Sequence, residues 1–311
     1  MQRRTLMIVA AFAAVYVIWG STYLAIRYAV EDMPPFLMAA GRWIIAGVIL
    51  YAWRRLAGDP APTLRNWGAA AVVGTALILG GNGLVSWAEI WVPSSLAALI
   101  IAIVPLWFAL LVWWREGTIP TARVWAGILL GLLGVALLFG PSIAESVGGS
   151  STMLWGTLAI LGATISWAAG SVYSKKAPLP KSILLTASMQ MIAGSAALAL
   201  VGVSTGELAR VDLASVELRA WLSFWFLVFL GSIVAFSAYV WLLQVVRTEL
   251  VATYAFVNPI VAVVLGVVFA GEPFSTGTLI ASALIVAGVA LVVTGGRRQP
   301  ATPPPPRPAE S

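Results

Sequence analysis

Blocks of about twenty apolar residues, broken by short polar turns, run along nearly the whole chain. They fall at roughly 6–28, 34–53, 67–88, 93–114, 123–140, 153–173, 183–204, 220–243, 249–270 and 275–294. A helix of about 20 residues crosses the ~30 Å hydrocarbon layer at 1.5 Å per residue. The pattern therefore predicts an all-α polytopic membrane protein with ten transmembrane helices. The polar turns alternate in sign. With the N-terminus placed inside, the inner segments carry Arg3, Arg4, Arg54, Arg55, Arg65, Arg115, Arg123, Lys175, Lys176, Lys181, Arg247, Arg297, Arg298 and Arg307. The outer turns carry mainly Glu31, Asp32, Glu145, Glu207, Asp212, Glu217 and Glu272. Lys and Arg accumulate on the cytoplasmic side of membrane proteins, so both termini are expected in the cytoplasm of a multi-pass protein of the cell inner (plasma) membrane.

The apolar pattern also repeats. Shifted by 154 positions, Trp87 falls on Trp241, Leu96 on Leu250, Ala98 on Ala252, Pro105 on Pro259 and Leu111 on Leu265. At the same shift Gly134-Val135-Ala136-Leu137 falls on Gly288-Val289-Ala290-Leu291. Matching Leu, Val and Ala residues mean little in apolar segments, but a Trp, a Pro and a Gly-led tetrapeptide at one offset point to an internal duplication. Five spans per half is an odd number, so the second half enters the membrane from the opposite face. The expectation is an inverted repeat, residues 1–148 and 149–296, around a central cavity, followed by a disordered Pro-rich tail at 297–311 that includes Pro303 to Pro306. The apolar run after Arg3 and Arg4 is too long for a signal-peptide core and reads as the first span.

Composition narrows the chemistry. The chain is 60% hydrophobic and 10% charged, too little charge to cover a soluble protein of this size. It contains neither Cys nor His, which removes disulfides, thiolate catalysis and the commonest metal ligand. No cofactor and no metal are expected. The net charge of +6 is accounted for by topology signals beside anionic lipid headgroups, so no nucleic-acid partner is implied. The expected partners are a small-molecule substrate and membrane lipids, with the chain acting as a monomer.

Several of these stretches resemble a known family. Trp19-Gly20-Ser21-Thr22, Arg42, Trp87-Ala88-Glu89, Val104-Pro105-Leu106-Trp107, Glu116 and the run Gly127 to Leu138 resemble the EamA repeat of the drug/metabolite transporter superfamily. Ala252, Asn258-Pro259, Gly271-Glu272-Pro273 and Gly288-Val289-Ala290 are similar to its second copy. Within the superfamily the chain resembles bacterial amino-acid and metabolite exporters of the YddG and YedA type. The resemblance implies ten helices in two inverted five-helix repeats, a central cavity and export of amino acids.

An ionisable group inside a span is costly unless paired or hydrated, and so marks function. Arg42 lies eight residues into the second span and Glu89 at the outer end of the third. They are candidates to pair with each other or to present charges to a substrate carboxylate and amine. Arg27, at the end of the first span, reads as a snorkelling side chain. Asn82, Ser86 and Glu89 share one face of an ideal helix, and Ser237, Trp241 and Gln244 share one in the eighth span. Tyr254 and Asn258 sit one turn apart before Pro259. Pro105 and Pro259 are candidate hinges, since proline removes a backbone donor. Trp53, Trp67, Trp113, Trp114, Trp125, Trp155 and Trp221 lie near span ends, as interface belts do. Trp19, Trp107, Trp167 and Trp241 lie deeper and could line a substrate site. Glycines 127, 131 and 134 form a close-packing surface.

The expected function is a secondary transporter exporting small metabolites, amino acids first, by alternating access and facilitated diffusion. No ATP-binding loop is present. A proton-coupled antiporter would need a titratable group, for which Glu89 is the candidate. A channel is not excluded by sequence. A membrane enzyme is disfavoured, because it needs a nucleophile, an acid–base pair or a metal cluster, and the chain has no His, no Cys and no paired intramembrane carboxylates.

Overall fold

In a computed structural model of the chain, residues 2–92, 97, 100–146, 151–270, 276–295 and 297–298 are described. Leu96, Ala98, Glu272 and the tail from Gln299 onward, all singled out in the sequence, lie outside them. The described chain is nearly all helical. Its main helices are α1 (Gln2–Asp32), α2 (Pro35–Leu56), α3 (Leu64–Ala88), α4 (Val104–Glu116), α5 (Ala122–Ser146), α6 (Ser151–Ser174), α7 (Ile183–Ser204), α8 (Leu218–Val245), α9 (Tyr254–Ala270) and α10 (Thr276–Thr294). A one-turn helix, Thr248–Ala252, precedes α9. A two-residue antiparallel ladder joins Ile119–Pro120 to Arg297–Arg298. Among the described residues six helices are long and apolar enough to cross a membrane: Arg3–Asp32, Pro35–Leu56, Leu64–Ala88, Thr152–Ser174, Ile183–Ser204 and Leu218–Val245. Shorter apolar helices run over Ala122–Leu137 and Leu279–Thr294.

The outer surface is that of a protein solvated by lipid. Leu6, Val17, Leu24, Val48, Leu129, Leu158, Leu200 and Val286 are all exposed. In water such a surface would aggregate; against hydrocarbon chains it is neutral. Trp53, Trp113, Trp114 and Trp155 are also exposed near helix ends, where an amphipathic ring suits the headgroup level.

Local signals set the helix ends. Thr63 accepts from the Asn66 backbone N–H while the Asn66 side chain accepts from the Thr63 backbone, a reciprocal cap on α3. The buried Glu207 carboxylate takes the backbone N–H groups of Phe36 (3.3 Å) and Leu37 (2.9 Å), placing negative charge at the N-terminus of α2. Pro105 stands at the first turn of α4, where its missing N–H costs nothing. That is a helix start, whereas Pro259 lies inside α9. Gly117 ends α4 with φ 65°, the left-handed conformation that glycine adopts without strain.

Helices α3 and α8 each contain a π-helical stretch, Thr75–Gly83 and Leu227–Phe236. A π turn closes i→i+5 and so rotates everything beyond it relative to a continuous α-helix. The main packing pairs are α2 with α7, α5 with α10, α3 with α6 and α7, α8 with α1 and α2, α1 with α9, and α4 with α6. The α5–α10 pair is held at backbone contact. A Cβ on Gly288 would stand 2.7 Å from the Gly127 carbonyl oxygen, and one on Gly127 would stand 2.7 Å from that of Gly288. Without a hydrophobic force between helices in lipid, such close approach supplies the dispersion contact that holds the pair.

Candidate functional site

At the centre, α1, α2, α3, the start of α4, α6, α8 and α9 leave a cavity of about 80 Å³. At roughly 10–15 Å³ per water counted the same way, it holds several waters or part of a small organic solute. One wall is aromatic. Trp19 packs edge-on to Trp167 (centroids 5.5 Å) and Tyr254 (5.1 Å) and tilts on Tyr239 (5.0 Å). Gly81 makes room for this wall, since a Cβ there would fall 2.5 Å from the Trp167 ring.

The lining also carries polar groups. Arg42 is 3% exposed, and its Nη2 donates to Asn82 Oδ1 at 2.5 Å. The Trp43 indole N–H donates to the same oxygen at 3.2 Å, and the guanidinium lies 4.7 Å from the centroid of the Trp43 ring. Arg42 Nε has no hydrogen-bond partner among the described residues. Arg42, Trp43 and Asn82 all border the cavity, as do Trp19, Trp167, Tyr254 and Asn258. With its amide oriented to satisfy both groups, Asn258 Nδ2 donates to the backbone oxygens of Tyr254 (3.0 Å) and Tyr16 (3.2 Å). Its side chain also meets the Tyr23 hydroxyl.

Other sequence candidates lie elsewhere. Ser86 and Glu89 are fully buried but do not border the cavity, and neither Glu89 carboxylate oxygen has a hydrogen-bond partner among the described residues. Arg42 donates to Asn82, not to Glu89. Arg27 turns inward as well as outward: its Nη1 donates to the Glu89 backbone oxygen (2.6 Å) and caps the end of α3, while its Nε lies 3.6 Å from Glu31. Trp241 is half-buried at the edge of the core and Gln244 is exposed. Trp107 donates to Thr164 Oγ1 at 3.0 Å, behind the wall.

Sequence reading missed Tyr239, Trp43 and Tyr23. Tyr239 is fully buried; its hydroxyl accepts from Trp167 Nε1 (2.8 Å) and pairs with Ser171 Oγ (2.6 Å). Tyr16 pairs with Thr253 at 2.6 Å, joining α1 to the turn before α9. An aromatic residue in an apolar span carries no mark of its orientation. The one usable sign was that a buried Tyr needs a partner for its hydroxyl.

The EamA-like transporter family model matches the chain twice, over residues 5–140 and 154–294. The chain belongs to the EamA-like transporter family. It is 39% identical over 303 residues to an inner membrane transporter of Escherichia coli K12 called YedA and described as uncharacterized; the match covers 97% of this chain and 95% of that protein. It is 24% identical over 294 residues to a probable amino-acid metabolite efflux pump of Salmonella typhimurium, covering 91% and 93%. A crystal structure matches with a TM-score of 0.74 at 24% identity, over 92% of this chain and 96% of that one, which supports the fold alone. The EamA-like protein is thus a multi-pass membrane transporter, and its family and these two relatives are named as transporters, not as enzymes.

Proposed function

We propose that this EamA-like protein is a ten-span secondary carrier with both termini in the cytoplasm, which exports small carboxylate-bearing metabolites, amino acids foremost, by alternating access and facilitated diffusion. The repeats are 1–148 and 149–296. The observation that carries the reading is the buried Arg42–Asn82 pair facing an aromatic cavity to which both halves contribute. The packing order supports an inverted repeat. Exchanging each helix for the one five places later returns α2–α7 and α5–α10 to themselves, α1–α9 to α6–α4, α3–α6 to α8–α1, and α3–α7 to α8–α2. Both third spans, α3 and α8, carry a π stretch. Two such halves in opposed orientation give similar gates on the two faces.

The test is counterflow in proteoliposomes. Vesicles preloaded with unlabelled amino acid should transiently accumulate the labelled form above equilibrium. A channel equilibrates without overshoot. Proton antiport is the second reading, favoured by one observation, the fully buried and unpartnered Glu89 carboxylate. If an imposed pH gradient drives uptake in the wild type and Glu89→Gln abolishes that drive while exchange persists, antiport replaces uniport.

A further inference from the structure

We propose that the central site binds its substrate as an anion, an apolar or aromatic monocarboxylate whose amino group is dispensable, so that a deaminated acid is carried as well as the amino acid and moves one net negative charge. This rests on the carrier reading above and specifies its substrate.

The argument is a count of which polar atoms in the lining are already committed. Asn82 Oδ1 accepts from both Arg42 and Trp43 and has no lone pair left for a third donor. Asn258 is taken up by two backbone oxygens and Tyr23. The indole N–H of Trp19 goes to the Gly231 oxygen at 3.2 Å, and that of Trp167 to Tyr239. Thr22 and Thr164 donate to backbone oxygens one turn back, at 2.8 and 2.7 Å. The charged group left in the lining is Arg42, whose side-chain acceptor is Asn82; its Nε is buried without a partner among the described residues.

A guanidinium keeps its charge and presents a planar fork that fits a carboxylate through two parallel N–H···O bonds. Left with one acceptor in a buried site, it is poorly compensated, and an incoming carboxylate removes that deficit. An ammonium finds no such counterpart. Among the described lining residues none is a carboxylate. Glu89 lies outside the lining, with the Arg27 and Arg42 cations and the Tyr23 hydroxyl around it. An ammonium would therefore meet ring faces and the neutral hydroxyl oxygens of Thr22 and Tyr254, with no carboxylate, and would sit near a fixed positive charge. The loaded cavity is neutral with a monoanion and remains positive with a zwitterion.

The full-length chain in proteoliposomes tests this with three probes sharing one ring: L-phenylalanine, phenylpyruvate, which lacks the ammonium, and phenethylamine, which lacks the carboxylate. Phenylpyruvate should compete in counterflow within about threefold of L-phenylalanine, and phenethylamine at least about tenfold worse. Efflux of labelled phenylpyruvate should speed up when a potassium gradient with valinomycin makes the interior negative; L-phenylalanine efflux should not respond. Arg42→Gln should weaken both acids about tenfold or more while phenethylamine, relieved of the nearby cation, binds no worse, and Arg42→Lys should restore part of the loss. Competition by L-phenylalanine without phenylpyruvate overturns the proposal but leaves the carrier reading standing. Selective weakening of L-phenylalanine by Glu89→Gln overturns it too, because Glu89 would then be the missing counter-charge. Absence of saturable counterflow for every probe removes both.

Discussion

Two side chains carry most of the site's internal order, and each can be tested alone. Asn82→Leu keeps the branched shape but removes the acceptor of two buried donors. Leaving a buried charged donor unsatisfied costs about 2–3 kcal/mol, so the detergent-solubilised variant should melt several degrees lower and lose affinity for carboxylates. Tyr239→Phe keeps the ring stack and deletes only the hydroxyl shared with Trp167 and Ser171. It should cost about 1–2 kcal/mol, seen as a smaller drop in Tm, with substrate selectivity unchanged. Arg42 was legible in the sequence as a lone cation in an apolar span, which must be paired or hydrated. The rest of its neighbourhood was less so, and α3 shows why. On an ideal helix Asn82, Ser86 and Glu89 share a face. The π stretch ends at Gly83, so Asn82 faces the cavity while Ser86 and Glu89, one α-helical turn and more beyond it, are buried elsewhere. The same device in α8 turns Tyr239 to the centre and leaves Gln244 exposed.

Helix pairs fail or hold by how closely their backbones approach. Gly288→Ala puts a methyl group 2.7 Å from the Gly127 oxygen and the Gly131 nitrogen, so α5 and α10 must separate. Overpacking of this kind costs about 1–3 kcal/mol; Gly68→Ala, in α3 with nothing within 4 Å, should instead gain up to ~1 kcal/mol from helix propensity. Opposite shifts in Tm for two identical substitutions check the packing directly. Connections can be tested by pH. The Asp59 carboxyl, in the turn after α2, is pulled down to about 2 by hydrogen bonds from Arg54 and then Ser182. A depressed carboxyl contributes stability above its ordinary pKa near 4 and loses it as pH falls through the folded value. Asp59→Asn should therefore lower Tm above about pH 4, with the difference fading towards pH 2. Helix positions themselves were readable from apolar run length, and α2, α3, α7 and α8 start within a few residues of where the runs begin. The placement of Pro105 at a helix start was not, because a proline in an apolar run reads the same whether it opens a helix or bends one.

For the whole molecule the question is whether the two halves move against each other. Glu31, on α1, pairs with Arg219 of α8 at 2.7 Å, and the Arg219 guanidinium lies 4.4 Å from the centroid of the Tyr28 ring, also on α1. This exposed contact joins the proposed repeats at the end of the molecule away from Arg54 and Lys175. Its intrinsic worth is small, about 0–1 kcal/mol for an exposed ion pair, so breaking it should leave the fold intact. Fixing it is another matter. The chain has no cysteine, so Glu31→Cys with Arg219→Cys can be bridged by a bifunctional methanethiosulfonate without background reaction. If the substrate crosses by rocking of one repeat against the other, the bridge holds a single access state. Counterflow should then fall by at least about tenfold and return on adding a reductant. Arg54→Cys with Asp59→Cys, bridged within the first repeat, should leave flux within about twofold of the unbridged protein. Equal flux from both bridged proteins would mean that α1 and α8 do not separate during transport, and the halves would then act as one rigid body around an open path.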